Sequence, residues 1–98
     1  MSCYFVAQIK FNDEEEYKKY LQDTDEVFSK FEGKYLAVDT HPQVLEGTWT
    51  HDRAILIEFS DKTKFEQWYT SPEYQTILKY RLNAAQCDTL LVEGLANT

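Results

Sequence analysis

Apolar and polar residues alternate from Tyr4 to Phe11. Phe5, Ala7, Ile9 and Phe11 fall on one side; Tyr4, Val6, Gln8 and Lys10 fall on the other. A period of two is the mark of a strand with one buried face. After Asn12 the period lengthens. Tyr17, Tyr20, Leu21, Val27, Phe28 and Phe31 form a helical stripe. Asp13, with Glu16 three residues on, makes a capping box in front of it. The acidic run Asp13-Glu14-Glu15-Glu16 suits the positive end of a helix dipole, which explains it without a metal. Lys30 and Lys34 suit the helix end, and Gly33 a left-handed cap.

Lys34 to Asp39 reads as a second strand. His41-Pro42 interrupts it, because proline cannot donate to a ladder. Extended structure is expected to resume from Val44 to Trp49, with a bulge or a close backbone approach at Gly47. Thr50-His51-Asp52 then makes a tight connection. Arg53 to Phe59 is the clearest strand, with Arg53, Ile55, Ile57 and Phe59 on one face and Ala54, Leu56 and Glu58 on the other. Ser60 or Asp61 caps the next helix, whose apolar positions are Phe65, Trp68 and Tyr69. Ser71 and Pro72 end it and start another, as N-cap and first helical residue. From there Tyr74, Ile77, Leu78, Leu82 and Ala85 form one stripe, and Arg81 lies inside it. Cys87 to Glu93 is the last strand, Gly94 closes it, and residues 95–98 make a short tail.

The order strand, helix, strand, strand, helix, strand predicts an α+β fold. It matches the ferredoxin-like β-α-β-β-α-β unit, a four-stranded antiparallel sheet with its helices on one face. A single domain spanning residues 1–98 is expected. The other sheet face has no cover from its own chain. It is expected to carry Val6, Gln8, Leu56, Glu58, Thr89 and Leu91. A half-apolar face of this size is poorly suited to water, so pairing with a second copy, sheet to sheet, is expected to enclose a space.

Composition narrows the function classes. The 98 residues are 43% hydrophobic, with six Phe, seven Tyr and two Trp, which is ample for a core. The net charge is −7 and the pI about 4.7. Such a surface repels phosphate backbones and anionic lipid, so neither nucleic acid nor membrane is an expected partner. No stretch approaches the apolar length of a membrane helix. Met1-Ser2-Cys3-Tyr4 carries no basic leader and runs into a strand, so a cytoplasmic address is expected. Cys3 and Cys87 have no CxxC partner and suit the role of small, half-buried thiols.

Glu46-Gly47-Thr48-Trp49, Arg53-Ala54-Ile55-Leu56-Ile57-Glu58-Phe59, Ser71-Pro72-Glu73-Tyr74, Arg81 and Val92-Glu93-Gly94 occur in the order and spacing of one family. On these motifs the chain resembles the domain-of-unknown-function family numbered 1330, within the dimeric α+β barrel superfamily, from Tyr4 to Gly94. The resemblance implies a ferredoxin-like protomer, a sheet-to-sheet homodimer and a cavity in each barrel. Relatives in the wider superfamily include monooxygenases, isomerases and haem-degrading enzymes, so the fold selects no reaction.

Arg81 needs a partner or a wet cavity, since an unpaired buried charge is costly. It either forks onto a substrate carboxylate or enolate, or pairs with Glu58 or Glu73. Glu58 stands mid-strand between Ile57 and Phe59. It is either a general base or ligand acceptor, or the ion-pair partner of Arg53 or Arg81. Glu46 beside Gly47 serves either a ligand or a turn. Trp49, Trp68, Tyr69 and Tyr74 either line an aromatic pocket or pack the core. His41 and His51 lack other ligand types at metal spacing, so no metal site is expected. Nothing calls for a nicotinamide, flavin or nucleotide cofactor. The expected function is binding or transforming a small organic molecule, carboxylate-bearing in the Arg81 reading, in an aromatic-lined barrel pocket without a cofactor. The alternative is a non-catalytic ligand-binding or regulatory dimer.

Overall fold

A computed structural model describes residues 1–95; residues 96–98 of the expected tail lie outside them. The elements are β1 (Cys3–Phe11), α1 (Glu14–Phe28), β2 (Gly33–Asp39), β3 (Arg53–Phe59), α2 (Lys62–Tyr69), α3 (Pro72–Ala84) and β4 (Ala85–Glu93). They form one four-stranded sheet in the order β2-β3-β1-β4, with every neighbouring pair antiparallel. This is the ferredoxin-like arrangement, with the second helical segment split in two at Ser71-Pro72.

Each helix starts on a side-chain cap. Asp13 Oδ1 accepts from the Glu16 N–H at 3.1 Å, and Asp61 Oδ1 from the Lys64 N–H at 2.9 Å. Ser71 does two jobs at the split. Its hydroxyl donates to the Trp68 carbonyl at 2.8 Å and accepts from the Tyr74 N–H at 3.0 Å. One buried oxygen thus ends α2, starts α3 and sets the angle at which Trp68 and Tyr74 meet.

The helices cover the face carrying Cys3, Phe5, Ala7 and Ile9 of β1 and Ile57 and Phe59 of β3, all buried. Register extends this across the sheet. Phe5 lies opposite Ile57 and Leu91, and Ala7 opposite Ile55 and Thr89. The open face carries Tyr4, Val6 and Gln8, with Glu58, Leu56 and Ala54 on one side and Val92, Leu90 and Asp88 on the other. Thr89 and Leu91 therefore belong to the covered face, and the expectation that they lie on the open one is corrected. In β4 both faces are apolar, Leu90 and Val92 against Leu91. Alternation separates such a strand into two sets but cannot say which set is inside.

Three further expectations change. Residues 40–52 form no strand. Pro42 withholds a donor and Gly47 turns with φ +82°, so no ladder continues through them. The segment is pinned at its end instead, where the Asp52 N–H donates to the Ile9 carbonyl at 2.7 Å and Asp52 Oδ2 accepts from the Phe11 N–H at 2.9 Å. The β2 irregularity falls between Tyr35 and Ala37. Two glycines exchange roles. Gly47 is the left-handed one, with open space around it. Gly33 is the close approach, where a Cβ would sit 2.6 Å from Phe59 and 2.7 Å from Phe28. Finally, Leu82 is 59% exposed, outside the buried stripe of α3, and Ala85 is the first residue of β4.

Cys3 lies opposite Glu93 and Cys87 opposite Ile9, at far ends of the β1–β4 pair, and both are free. No helix among the described residues is long and apolar enough to cross a membrane.

Candidate functional site

α3 places Arg81 one turn beyond Ile77 and Leu78 on its buried side, and only 2% of the residue is exposed. Its guanidinium carbon lies 6.0 Å from the Tyr20 ring centre. The Tyr20 and Tyr74 hydroxyls hydrogen-bond at 2.8 Å in the interior. Tyr74 packs on Trp68 at 4.3 Å and on Tyr69 at 5.7 Å between ring centres. Trp68 stacks on Phe59 at 5.5 Å, and Tyr69 on Phe65 at 5.3 Å. α1, α2 and α3 thus bring Tyr20, Trp68, Tyr69, Tyr74 and Arg81 into one cluster.

No carboxylate of the described residues forms an ion pair with Arg81. Its Nε is sealed from water and has no hydrogen-bond partner. Burial opposes its charge, but Tyr74, Tyr20, Cys87 and Tyr69 around it outweigh burial and hold its pKa above the ordinary value. The Tyr74 phenol is pushed far up, first by burial and then by Tyr20, with Arg81 pulling against them. At neutral pH a charged Arg81 therefore sits beside a Tyr74 phenol that keeps its proton.

Glu58 is on the other side of the sheet. It lies directly opposite Tyr4 on β1 and Lys34 on β2, on the open face. There it borders a shallow hollow of about 950 Å³ with Tyr4, Ser2, Ser60 and Val92. Hydrogen bonding to the Glu58 carboxylate is the main cause that raises the Tyr4 pKa, ahead of burial and of the carboxylate's charge. Glu58 and Arg81 are not brought together, and neither Glu58 nor Glu73 is an ion-pair partner of Arg81.

Glu46 is exposed in the irregular segment. Trp49, in the same segment, sits 5.2 Å from the His51 ring and borders a separate hollow of about 340 Å³ with Phe11, His41 and Pro42. His51 Nε2 is 2.6 Å from Asp88 Oδ2, an exposed pair that ties this segment to β4. Among the described residues no group of three or more His, Cys, Asp or Glu is placed to hold a metal ion.

Sequence reasoning did not single out Tyr17 and Tyr20, which lie around Arg81, and it considered Arg53 only as an ion-pair partner of Glu58, a pair that does not form. A signal was present. Tyr17 and Tyr20 put two hydroxyls into a stripe that a purely apolar core would fill with Leu or Phe. Arg53 begins a strand face otherwise made of Ile55, Ile57 and Phe59.

Comparison with solved structures shows what the fold is similar to. A protein of unknown function from Rhodopseudomonas palustris superposes with a TM-score of 0.82 at 17% identity, covering 98% of this chain and 84% of that one. A dimeric ferredoxin-like protein of unknown function from Thermobifida fusca gives 0.70 at 13% identity over 93% of this chain and 89% of that one. SnoaB, a cofactor-independent oxygenase from Streptomyces nogalater, gives 0.66 at 12% identity over 98% of this chain and 95% of that one. At these identities the likeness is one of fold. Among curated proteins nothing matches the chain. The family described as a domain of unknown function, DUF1330, matches residues 2–95, nearly the span over which the sequence motifs run, and the chain belongs to it.

Proposed function

We propose that the protein binds a small carboxylate-bearing organic molecule at Arg81, without a cofactor, as a cytoplasmic homodimer. The observation that carries this is a guanidinium 2% exposed with no ion-pair partner among the described residues. A buried charge without a counter-ion costs several kcal/mol. A carboxylate or enolate would supply the missing charge through the planar fork, on the condition that the packing of Trp68, Tyr69 and Tyr74, of which Trp68 is 1% and Tyr74 0% exposed, opens to admit it. Glu46 and Trp49 would then border the site only if the irregular segment folds over a second copy.

Catalysis and plain binding differ in their demands. That SnoaB is an oxygenase without a cofactor supports cofactor-free chemistry on this fold, by analogy. In the catalytic reading Glu58 is the base and Arg81 the oxyanion partner. One observation favours the binding reading: the two lie on opposite faces of the sheet, and phenols rather than a base surround Arg81.

Arg81→Met removes the charge at similar volume. It is expected to leave the Tm unchanged or higher and to abolish the Tm rise that benzoate or 4-hydroxybenzoate gives the wild type. Arg81→Lys keeps the charge but loses the fork, so part of the response returns. A carboxylate response that survives Arg81→Met overturns the reading.

For the dimer, Leu90 is 65% and Val92 44% exposed on the open face beside Val6 and Leu56. Light scattering is expected to return twice 11.6 kDa at tens of micromolar. A monomer mass there overturns this part.

A further inference from the structure

We propose that the hollow between the irregular segment and the start of α1 binds a small organic cation, an amine on a single-ring or alkyl frame, with Trp49 as its floor and Glu14 and Asp52 as its counter-charges. Arg81 is not among the residues that border it, so this is a second site and does not rest on the Arg81 reading.

The hollow has a volume of about 340 Å³, near the low end of the roughly 300–1,000 Å³ that small-molecule sites occupy. Phe11, at the end of β1, and Glu14, in the first turn of α1, form one side; Pro42, Trp49 and Asp52 of the segment form the other. The segment makes no ladder, yet it is fixed at three points. The His41 N–H donates to Asp39 Oδ1 at 2.8 Å. The Asp52 N–H donates to the Ile9 carbonyl at 2.7 Å, and Asp52 Oδ2 accepts from the Phe11 N–H at 2.9 Å. Between these ends His51 Nε2 donates to Asp88 Oδ2 at 2.6 Å, since a carboxylate can only accept. The imidazole held in this way packs on the Trp49 ring, 5.2 Å between centres. Asp88 and His51 thus hold Trp49 in place, and the cradle stands before a ligand arrives.

No lysine or arginine borders the hollow, while two carboxylates do. The acidic run that opens α1 is not used evenly. Asp13 caps the helix, and Glu15 and Glu16 pair with Lys18 and Lys19 at 3.1 and 3.0 Å. Glu14, the one that borders the hollow, has no ion pair among the described residues, and neither has Asp52. The start of α1 offers about half a positive charge, less than the carboxylates gathered there. The two tryptophans differ in the same sense. Trp68 is 1% exposed inside a cluster of rings. Trp49 has His51 as its one ring neighbour among the described residues, and no arginine or lysine of theirs lies over its face.

An ammonium group is attracted to an indole face by the ring quadrupole. Carboxylates beside the ring add charge and strong acceptors. Phe11 and Pro42 supply apolar walls for the carbon frame. An anion would be repelled by Glu14 and Asp52, and a neutral ring would use the walls alone. The net charge of −7 also draws cations from solution, so the long-range field and the local match act together.

The test is calorimetry at about pH 8, where an ordinary histidine is neutral, with benzylammonium against benzyl alcohol at matched ionic strength. The wild type is expected to bind the cation at least about tenfold tighter than the alcohol. Trp49→Ala removes that margin, and Trp49→Phe restores part of it. Glu14→Gln cuts it about threefold; Glu14 is exposed, so this variant tests the charge without disturbing the packing. Glu26→Gln removes the same charge at the far end of α1, about 18 Å along the helix, and is expected to leave the margin intact. If benzylammonium binds no tighter than benzyl alcohol, if Glu14→Gln leaves the margin unchanged, or if Glu26→Gln cuts it as much, the inference falls. Benzoate in the same series reports on the Arg81 reading alone: its binding is expected to survive Trp49→Ala, and its failure leaves the cation site standing.

Discussion

On the covered face of the sheet, Phe59, Trp68 and Tyr74 pack ring against ring around a guanidinium with no carboxylate to meet it. On the open face, Glu58 stands between Tyr4 and Lys34, and Leu90 and Val92 face outward. Both faces are made by the same alternating strands. Their difference comes from what lies above them. In the free protomer water reaches the open face and screens Glu58, so its charge there asks for no dedicated partner. The helices shut water out from Arg81, and in place of water or a carboxylate it has the rings and phenols of Tyr20 and Tyr74 around it. An arginine under a helical layer therefore demands explanation, where a glutamate on a bare sheet does not.

That contrast can be broken by truncation. Trp68→Ala removes a nearly fully buried indole and is expected to cost about 3–5 kcal/mol in urea unfolding. Leu90→Ala is expected to change the stability of the isolated chain by no more than about 0.5 kcal/mol, while weakening self-association. Equal costs would mean that the two faces are equally buried in the free protomer.

Hydroxyl deletion sharpens it. Tyr74→Phe leaves the buried Tyr20 hydroxyl without its 2.8 Å partner, for an expected loss of about 1–3 kcal/mol. Tyr4→Phe, on the open face, is expected to lie within about 0.5 kcal/mol of the wild type. Parallel urea curves decide it.

The covered phenols also set a pH limit. Tyr17 and Tyr74 are raised well above 10.0, chiefly by burial; Tyr35, 38% exposed at the sheet's edge, is pushed up to about 12 by the desolvation of its covered side, a shift that water on its open side makes smaller than those two. Their pKa values are higher in the folded state than in the unfolded one, so the folded state binds more protons in alkali. Their contribution is complete below about pH 10 and is lost as pH rises through about 12 and beyond. Urea midpoints are expected to fall across that range and to fall less steeply for Tyr35→Phe. A midpoint that is flat with pH would mean these phenols ionise freely in the fold.

Much of the fold is legible in local chemistry. Asp13, Asp61 and Ser71 cap the helices because short polar side chains satisfy the first free N–H groups wherever a helix begins. β3 matches Arg53 to Phe59 because its alternation is clean. Tyr74 and Arg81 are legible as parts of one helical stripe with a charge in it, and Trp68 and Tyr69 as apolar positions of the helix before it. Failures came where a local signal has two outcomes. Val44 to Trp49 has strand-like residues but no neighbour to pair with, and extended structure without a ladder is only a loop. Gly33 and Gly47 both signal a special backbone. Only the packing of Phe28 and Phe59 against Gly33 tells a close approach from a left-handed turn.

By itself the sequence determined the order of elements, the face of β1 and β3 that the helices cover, the split at Ser71-Pro72 and the burial of Arg81. These follow from periodicity and caps, which act over a few residues. Tertiary structure alone decided what stands next to what. Antiparallel register put Leu90 rather than Leu91 on the open face, separated Glu58 from Arg81 by the thickness of the sheet, and set Arg53 and Cys87 on either side of Ile9. The physical reason is the two-residue period of a strand. A shift of one residue in pairing moves every side chain to the other face, and no short-range signal in a doubly apolar strand such as β4 records which pairing wins.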